Sequence, residues 1–268
     1  MNGRENGTLA DKIDAIRDAM RWRGSVVVGL SGGVDSALLA WIARDALGDN
    51  AMAVTLDSEF LPRKELEWAK QVAKRMGIRH AVVRHSAISE EKVVSNPRDR
   101  CYHCKKGDVY AILEEAKKYG ITTVAFGATA SDFSDYRPGI GAASELGVWQ
   151  PLLEFGLTKD EVRIAARDAG LPVWDKPAAA CLASRIECGE RITEERLDMV
   201  ERAENYLSDL GFSNVRVRYA KSDARIELPP EEIKRAATLA KEIVEKLKAF
   251  GFRRVSLDLE GYRPAGMQ

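Results

Sequence analysis

The chain has 268 residues, 45% of them hydrophobic and 31% charged, with 41 basic side chains balanced by 41 acidic ones. This composition excludes a disordered or fibrous polymer and is enough for one large domain or two modest ones with a real core. A formal net charge of zero gives no general electrostatic pull toward nucleic acid or an anionic membrane, so neither is an expected partner unless a particular site provides for it.

The first residues, MNGRENGTLADK, carry charges and glycines where a signal peptide needs an apolar stretch, and nowhere are there about 18 consecutive apolar residues. The expectation is a soluble cytoplasmic protein. Ser25–Leu30 (SVVVGL) is a β-branched run, followed by the loop SGGVDS and by ALLAWIARDAL with apolar residues at helical spacing. The same pattern continues with a strand over AMAVTL (51–56), a helix over 63–76 and a strand over HAVVRH (80–85). A polar stretch holding Cys101 and Cys104 precedes a helix near 106–119, and TTVAFG (122–127) reads as another strand. Such alternation calls for a doubly wound parallel sheet covered by helices on both faces.

Residues 128–150 lack periodicity and read as a long functional loop. Thr158 and Glu161 form a capping box at the head of a helix to about 169. Residues 171–189 are again irregular, and the domain boundary is placed there: 1–189 as an α/β nucleotide domain, 190–268 as a small α+β domain for substrate or oligomer contacts. In the second part, Thr193 caps a helix without completing a box, since Arg196 stands where Glu would be needed. VRVRY (215–219) and ARIEL (224–228) alternate as strands with one wet face, a helix runs over 230–250, and RRVSLDLE (253–260) closes the unit.

The loop Ser31–Ser36 lies between a buried strand and a helix N-terminus, where unpaired N–H groups and the helix dipole favour an anion. Gly32 and Gly33 allow backbone to approach a phosphate, Ser31 and Ser36 offer hydroxyls, and Asp35 suits the Mg²⁺ that accompanies a triphosphate. No lysine is present, so this is not a Walker A loop. The loop resembles that of the PP-loop ATP pyrophosphatases (adenine nucleotide alpha hydrolase-like fold), a class similar to GMP synthetase, NAD synthetase and the tRNA thiolases. The resemblance implies activation of a substrate by adenylylation with release of pyrophosphate, on a sheet of five parallel strands with ATP across their C-terminal ends.

Of four cysteines, Cys101 and Cys104 form a C-x-x-C, and Cys181 and Cys188 lie in the later irregular stretch. This is a poor disulfide framework and a fitting metal or redox site. Three thiolates, Cys101, Cys104 and Cys181, suit a [4Fe-4S] cluster with one open iron; His103 and Cys188 keep a zinc site open by count; and an incidental pair beside a small buried Cys181 is the third reading.

Ordered stretches along nearly the whole chain, SGGVDSALLA, DSEFLPRKELE, NPRDRCYHCKK, DFSDYRPG, PLLEFGLTKDEVR, LPVWDKPAAACLASRI and VRVRYAKSDARIEL, resemble the ATP-dependent sacrificial sulfur transferases of nickel-pincer cofactor synthesis, the LarE family. Some members of that family give up the sulfur of the cysteine matching Cys181 and keep dehydroalanine; others hold a [4Fe-4S] cluster on three cysteines and pass on an extra sulfide. With all three present, this chain resembles the cluster type. It departs from the family at Ala179–Ala180, where Ser-Pro is usual, and at Glu187–Cys188, where Pro-Tyr is common. The resemblance further implies pyridinium-3,5-biscarboxylic acid mononucleotide as substrate and a homo-oligomer.

Asp132, Asp135 and Arg137 follow a strand end, where doubly wound folds bind ligands, although loop Asp also favours plain turns. Ser184, Arg185, Arg216 and Arg218 suit a substrate phosphate through forked hydrogen bonds, with the wet face of an edge strand as the bland alternative for the last two; the resemblance favours phosphate and places Glu227 beside it. Trp22, Trp41 and Trp68 fit a helical core. Two other functions remain in view, a tRNA thiolase of the same loop class and a nucleotide-binding redox sensor without turnover. Neutral charge and the lack of an RNA-binding appendage count against the first.

Overall fold

The computed structural model describes residues 7–134, 138–177 and 180–262. The chain divides into two compact units: the first runs to Ser86 and resumes at Cys101, and the second comprises Ala87–Arg100 and the chain from Ala180 onward. The expected division after residue 189 differs from this in two ways. Residues 180–189 fold with the second unit, and so does the segment 87–100. The reason is hydrogen bonding at long sequence range: Asn96 Nδ2 donates to the carbonyls of Ile186 and Glu187, Gly189 N to Asn96 O, and Ile192 N to Val94 O.

In the first unit, β1 (Val26–Gly29), β2 (Ala51–Asp57), β3 (Arg79–Arg84) and β4 (Val124–Ala125) form a parallel sheet in the order β3-β2-β1-β4. The resemblance implied five strands. Among the described residues the fifth is a single parallel bridge, Ala125 to Trp149, closed by Trp149 N to Val124 O and Phe126 N to Trp149 O at 2.9 Å each. Alternation sorts the sheet's side chains onto two faces. Val26, Val28 and Ala53 pack with α1 (Leu9–Arg23), α2 (Val34–Leu47) and α8 (Lys159–Asp168), whereas Val27, Met52 and Val54 pack with Val109, Ile112 and Ala116 of α5 (Arg100–Lys118). α3 (Arg63–Met76) occupies the span its sequence indicated.

Several expectations need correction. α5 begins at Arg100, so the C-x-x-C lies inside its first turns and not in a preceding polar stretch. The supposed loop 128–150 contains a 3-10 turn, Ala130–Ser134, and α6 (Pro138–Glu145), and is followed by α7 (Pro151–Glu154). Trp41 packs against the core, but Trp22 is 85% exposed and Trp68 39%.

The second unit holds α4 (Glu91–Val94), α9 (Glu194–Asp209), and the sheet β5 (Arg216–Ala220), β6 (Asp223–Glu227), β7 (Arg254–Leu257), with β5–β6 antiparallel and β6–β7 parallel. Thr193 Oγ1 caps α9 by accepting from Arg196 N. The expected helix 230–250 is interrupted into α10 (Ile233–Thr238) and α11 (Ala240–Ala249), where Thr238 Oγ1 donates to Arg235 O at 2.7 Å, a local side-chain bond of the kind that competes with helix continuation. No described helix is long and apolar enough to cross a membrane.

Candidate functional site

The strand order itself locates the first site. The chain runs outward from β1 through β2 to β3, then returns to place β4 on the other side of β1, so the loops after β1 and β4 diverge and leave a crevice at the strands' C-terminal ends. Ser31–Ser36 is the first of these loops. Gly32 has φ +81°, and a Cβ there would meet Glu65 O at 2.9 Å. Gly127, just past β4, would place a Cβ 2.9 Å from Asp35 C and Ser36 N. Glycine is therefore needed at both for the loop to lie this close to its neighbours.

Inside the loop, Ser36 Oγ accepts from Ser31 N at 3.1 Å and donates to Gly33 O at 3.1 Å, and the two hydroxyls are 3.1 Å apart. Gly33 is the N-cap of α2 and supplies no side-chain cap, so the positive end of α2 faces the crevice. Asp35 pairs through Oδ2 with Lys159 at the head of α8, while its Oδ1 is buried with no hydrogen-bond partner. Lys176 donates to Gly32 O at 3.2 Å and to Glu65 Oε2 at 2.6 Å. Lys159 and Lys176 went unmarked in the sequence, because neither sits in the loop motif. Behind the loop, Thr55 Oγ1 donates to Leu30 O and so accepts from His80 Nε2 at 2.8 Å; burial, with Lys70 nearby, pushes the His80 pKa down.

Asp132 Oδ2 accepts from both N and Oγ1 of Thr129, at 2.9 Å each. Asp135 and Arg137 lie outside the described residues. Cys101 and Cys104 are half-buried thiols outside any disulfide, three residues apart on α5, a spacing that puts them on one helix face. Among the described residues, no group of three or more His, Cys, Asp or Glu side chains converges as a metal cage.

The remaining candidates share the second unit. Cys181 is exposed and caps the 3-10 turn Leu182–Arg185. The Arg185 side chain is buried, with bonds from Nε and Nη2 to Glu204 at 2.8 and 3.0 Å. Arg218 forks onto Glu227 through Nε at 3.0 Å and donates Nη1 to Ser184 O at 2.9 Å. Glu227 also accepts from Arg225. Arg216 stacks on Tyr262 at 5.1 Å, and burial together with the neighbouring Arg185 lowers its pKa, as befits a cation among cations. These arginines are thus on no simple wet face: Ile186 bridges to Tyr219 beside β5, and the 3-10 turn engages Arg218. Cys188 Sγ contacts Asn96 O at 3.5 Å.

Residues 9–111 match the family model described as NAD synthase. The chain is 35% identical to pyridinium-3,5-bisthiocarboxylic acid mononucleotide synthase of Lactiplantibacillus plantarum, over 97% of this chain and 95% of that protein. It is 43% identical to an uncharacterised protein of Synechocystis sp. over 95% and 96%, and 29% identical to the glutamine-hydrolysing GMP synthase of Alkaliphilus metalliredigens over 75% and 42%. The chain belongs to the LarE family of PP-loop proteins, to which the Lactiplantibacillus synthase belongs.

Proposed function

We propose that the protein is an ATP-dependent sulfur transferase of nickel-pincer nucleotide cofactor synthesis, acting on pyridinium-3,5-biscarboxylic acid mononucleotide. The observation that carries this reading is the 35% identity to the synthase along nearly the whole of both chains. A carboxylate oxygen of the substrate attacks the α-phosphorus of ATP held at Ser31, Gly32, Gly33, Asp35 and Ser36, and pyrophosphate leaves. The acyl adenylate then has a good leaving group in AMP, displaced at the carbonyl carbon either by the Cys181 thiolate, whose Cβ–S bond then breaks with loss of the Cα proton to leave the thiocarboxylate and dehydroalanine, or by sulfide that a cluster on Cys101, Cys104 and Cys181 would supply.

Mg²⁺ fits the loop: the buried, unpartnered Oδ1 of Asp35 is a hard oxygen donor beside the helix N-terminus. Asp132 stands after β4, on the other side of the crevice, and Asp135 and Arg137 extend that loop in sequence. The donor chemistry of Cys101, Cys104 and Cys181, three thiols outside any disulfide, fits a [4Fe-4S] cluster, which when bound would supply sulfide for transfer. In the second unit, Arg216 and Arg218 are the candidates for the mononucleotide phosphate, with Arg218 also bonded to Glu227 and Ser184. Assembly as a homo-oligomer accompanies this reading.

Anaerobic protein is expected to show the brown absorption of a [4Fe-4S] cluster. Ser at Cys101, Cys104 or Cys181 should each lower the iron content, and Cys188→Ser should leave it intact. Intact mass after turnover decides between the sulfur sources: chains lighter by one H₂S, with activity surviving Cys101→Ser, would replace the cluster with Cys181 itself as donor. Absence of pyrophosphate release and of thiolated product with this mononucleotide would sink the whole assignment.

A further inference from the structure

The carbonyls around Cys181 are taken up by side-chain donors as well as by local backbone N–H groups. Six carbonyls between Ala180 and Glu187 are taken: those of Ala180 and Cys181 by Arg185, Ala183 by Arg100, Ser184 by Arg218, and Ile186 and Glu187 by Asn96. Cys181 O receives two further bonds, from Ser184 N at 3.0 Å and Ser184 Oγ at 2.8 Å.

The Arg185 contacts are the informative ones. A single nitrogen, Nη1, reaches Ala180 O at 2.8 Å and Cys181 O at 3.1 Å. These carbonyls belong to the two peptide planes flanking the Cys181 Cα. Because each peptide is planar, fixing both planes sets φ (−62°) and ψ (149°) and with them the direction of the Cα–Cβ bond. The guanidinium is itself braced, since Glu204 takes Nε and Nη2 and also accepts from Val217 N of β5 at 3.0 Å. At 3% exposure, with all three nitrogens engaged, Arg185 has little left to offer a phosphate.

We propose that Arg185, braced by Glu204, is the positioning residue that aims the sulfur of Cys181, and that it is not a phosphate ligand. The proposal rests on the reading of Cys181 as the sulfur-handling residue. Sulfur transfer to an activated carbonyl needs a near-attack geometry, in which a displacement of about 1 Å costs on the order of a hundredfold in rate.

The test compares wild type with Arg185→Lys, which keeps the charge but replaces the planar fork with a point donor, and with Glu204→Gln, which keeps the shape of the brace. With ATP and the pyridinium mononucleotide, Arg185→Lys is expected to lose about a hundredfold in single-turnover sulfur transfer. Its pyrophosphate release and mononucleotide KM should stay within about twofold, and Glu204→Gln should fall between the two. A rise in KM at unchanged kcat would make Arg185 a substrate ligand and overturn the proposal. So would unchanged transfer, or a joint loss of transfer and pyrophosphate release. A nitroxide on Cys181, with the other three cysteines replaced by Ser, gives a readout independent of the reaction: its spectrum should be restricted with Arg185 and mobile with Lys. If wild type transfers no sulfur, the functional reading fails, while the spin-label contrast still upholds the anchoring by its presence or overturns it by its absence.

Discussion

The two units hold their reactive loops by opposite means. At Ser31–Ser36 the serine side chains bond within the loop, which is shaped by Gly32 and by hydroxyls bonded to each other, and α2 opens without a side-chain cap. At 180–187 the acceptors are consumed, with carbonyl after carbonyl bonded to Arg185, Arg100, Arg218 or Asn96. A loop that must close around a polyanion benefits from free N–H groups, which the ligand itself completes. A loop that must present one side chain in one direction benefits from having every other polar group already satisfied. The difference predicts that ligand binding orders the first loop and leaves the second as it was.

The sharpest way to break this comparison is at Asp35. Asp35→Asn should reduce pyrophosphate release by about a hundredfold or more, because it removes the charge that pairs with Lys159 and, on the proposed reading, would face Mg²⁺; release at the wild-type rate would show that the crevice is not the nucleotide site. Arg216→Lys comes next. Mononucleotide affinity should fall about tenfold, equivalent to about 1.4 kcal/mol, with ATP affinity unchanged. Calorimetry that found both ligands equally weakened would place Arg216 elsewhere in the reaction.

The smallest effect concerns the frame of the first unit. Thr158 and Glu161 form the capping box of α8, and Lys12 of α1 bonds Glu161 at 2.8 and 3.0 Å. Burial alone would raise the Glu161 pKa, but the bonds from Lys12 and Thr158 outweigh it and hold the carboxyl below the usual range. The folded pKa lies below the unfolded value near 4.3, so this contribution is present above about pH 4.3 and is lost as pH falls through the folded pKa. Glu161→Gln should cost about 1 kcal/mol, or about 3 °C in melting temperature at pH 7 for a chain of this size, and the gap to wild type should narrow in acid. A gap independent of pH would mean that the carboxylate charge contributes nothing.

Much of this was legible where one local rule decides the structure. Helical periodicity found α3, the box at Thr158 found α8, and alternation found β5 and β6. The first turns of α5 escaped because Cys101, Tyr102, His103 and Cys104 carry no apolar period, and the split between α10 and α11 because the periodicity continues across Leu239. α1, with Thr8 and Asp11 as its capping box, was readable by the rule that found α8 and was overlooked. In the sites, the short motif was legible because its residues are neighbours in sequence. Lys159, Lys176, Glu204 and Arg100 were not, since each reaches its partner across a long separation: Lys159 lies 124 residues from Asp35, and Arg100 lies 83 from Ala183.

The segment 87–100 interrupts one unit in order to complete the other, and this has a consequence for synthesis. As the chain leaves the ribosome, Asn96 and Arg100 emerge long before Ala183, Ile186 and Glu187, the groups they bond. Until then a buried arginine and a buried asparagine with φ +54° have each other, through Arg100 Nη1 to Asn96 Oδ1 at 2.5 Å, but not the carbonyls of Ala183, Ile186 and Glu187. The closing contacts span 83 to 91 residues and carry the loop-closure entropy of that length, so they belong among the late events of folding. No single cut separates the two units: a fragment ending before Ala180 would expose 87–100, and one beginning there would lack it. The architecture thus makes the Cys181 loop a late part of the molecule to finish, after the residues of the first unit have emerged.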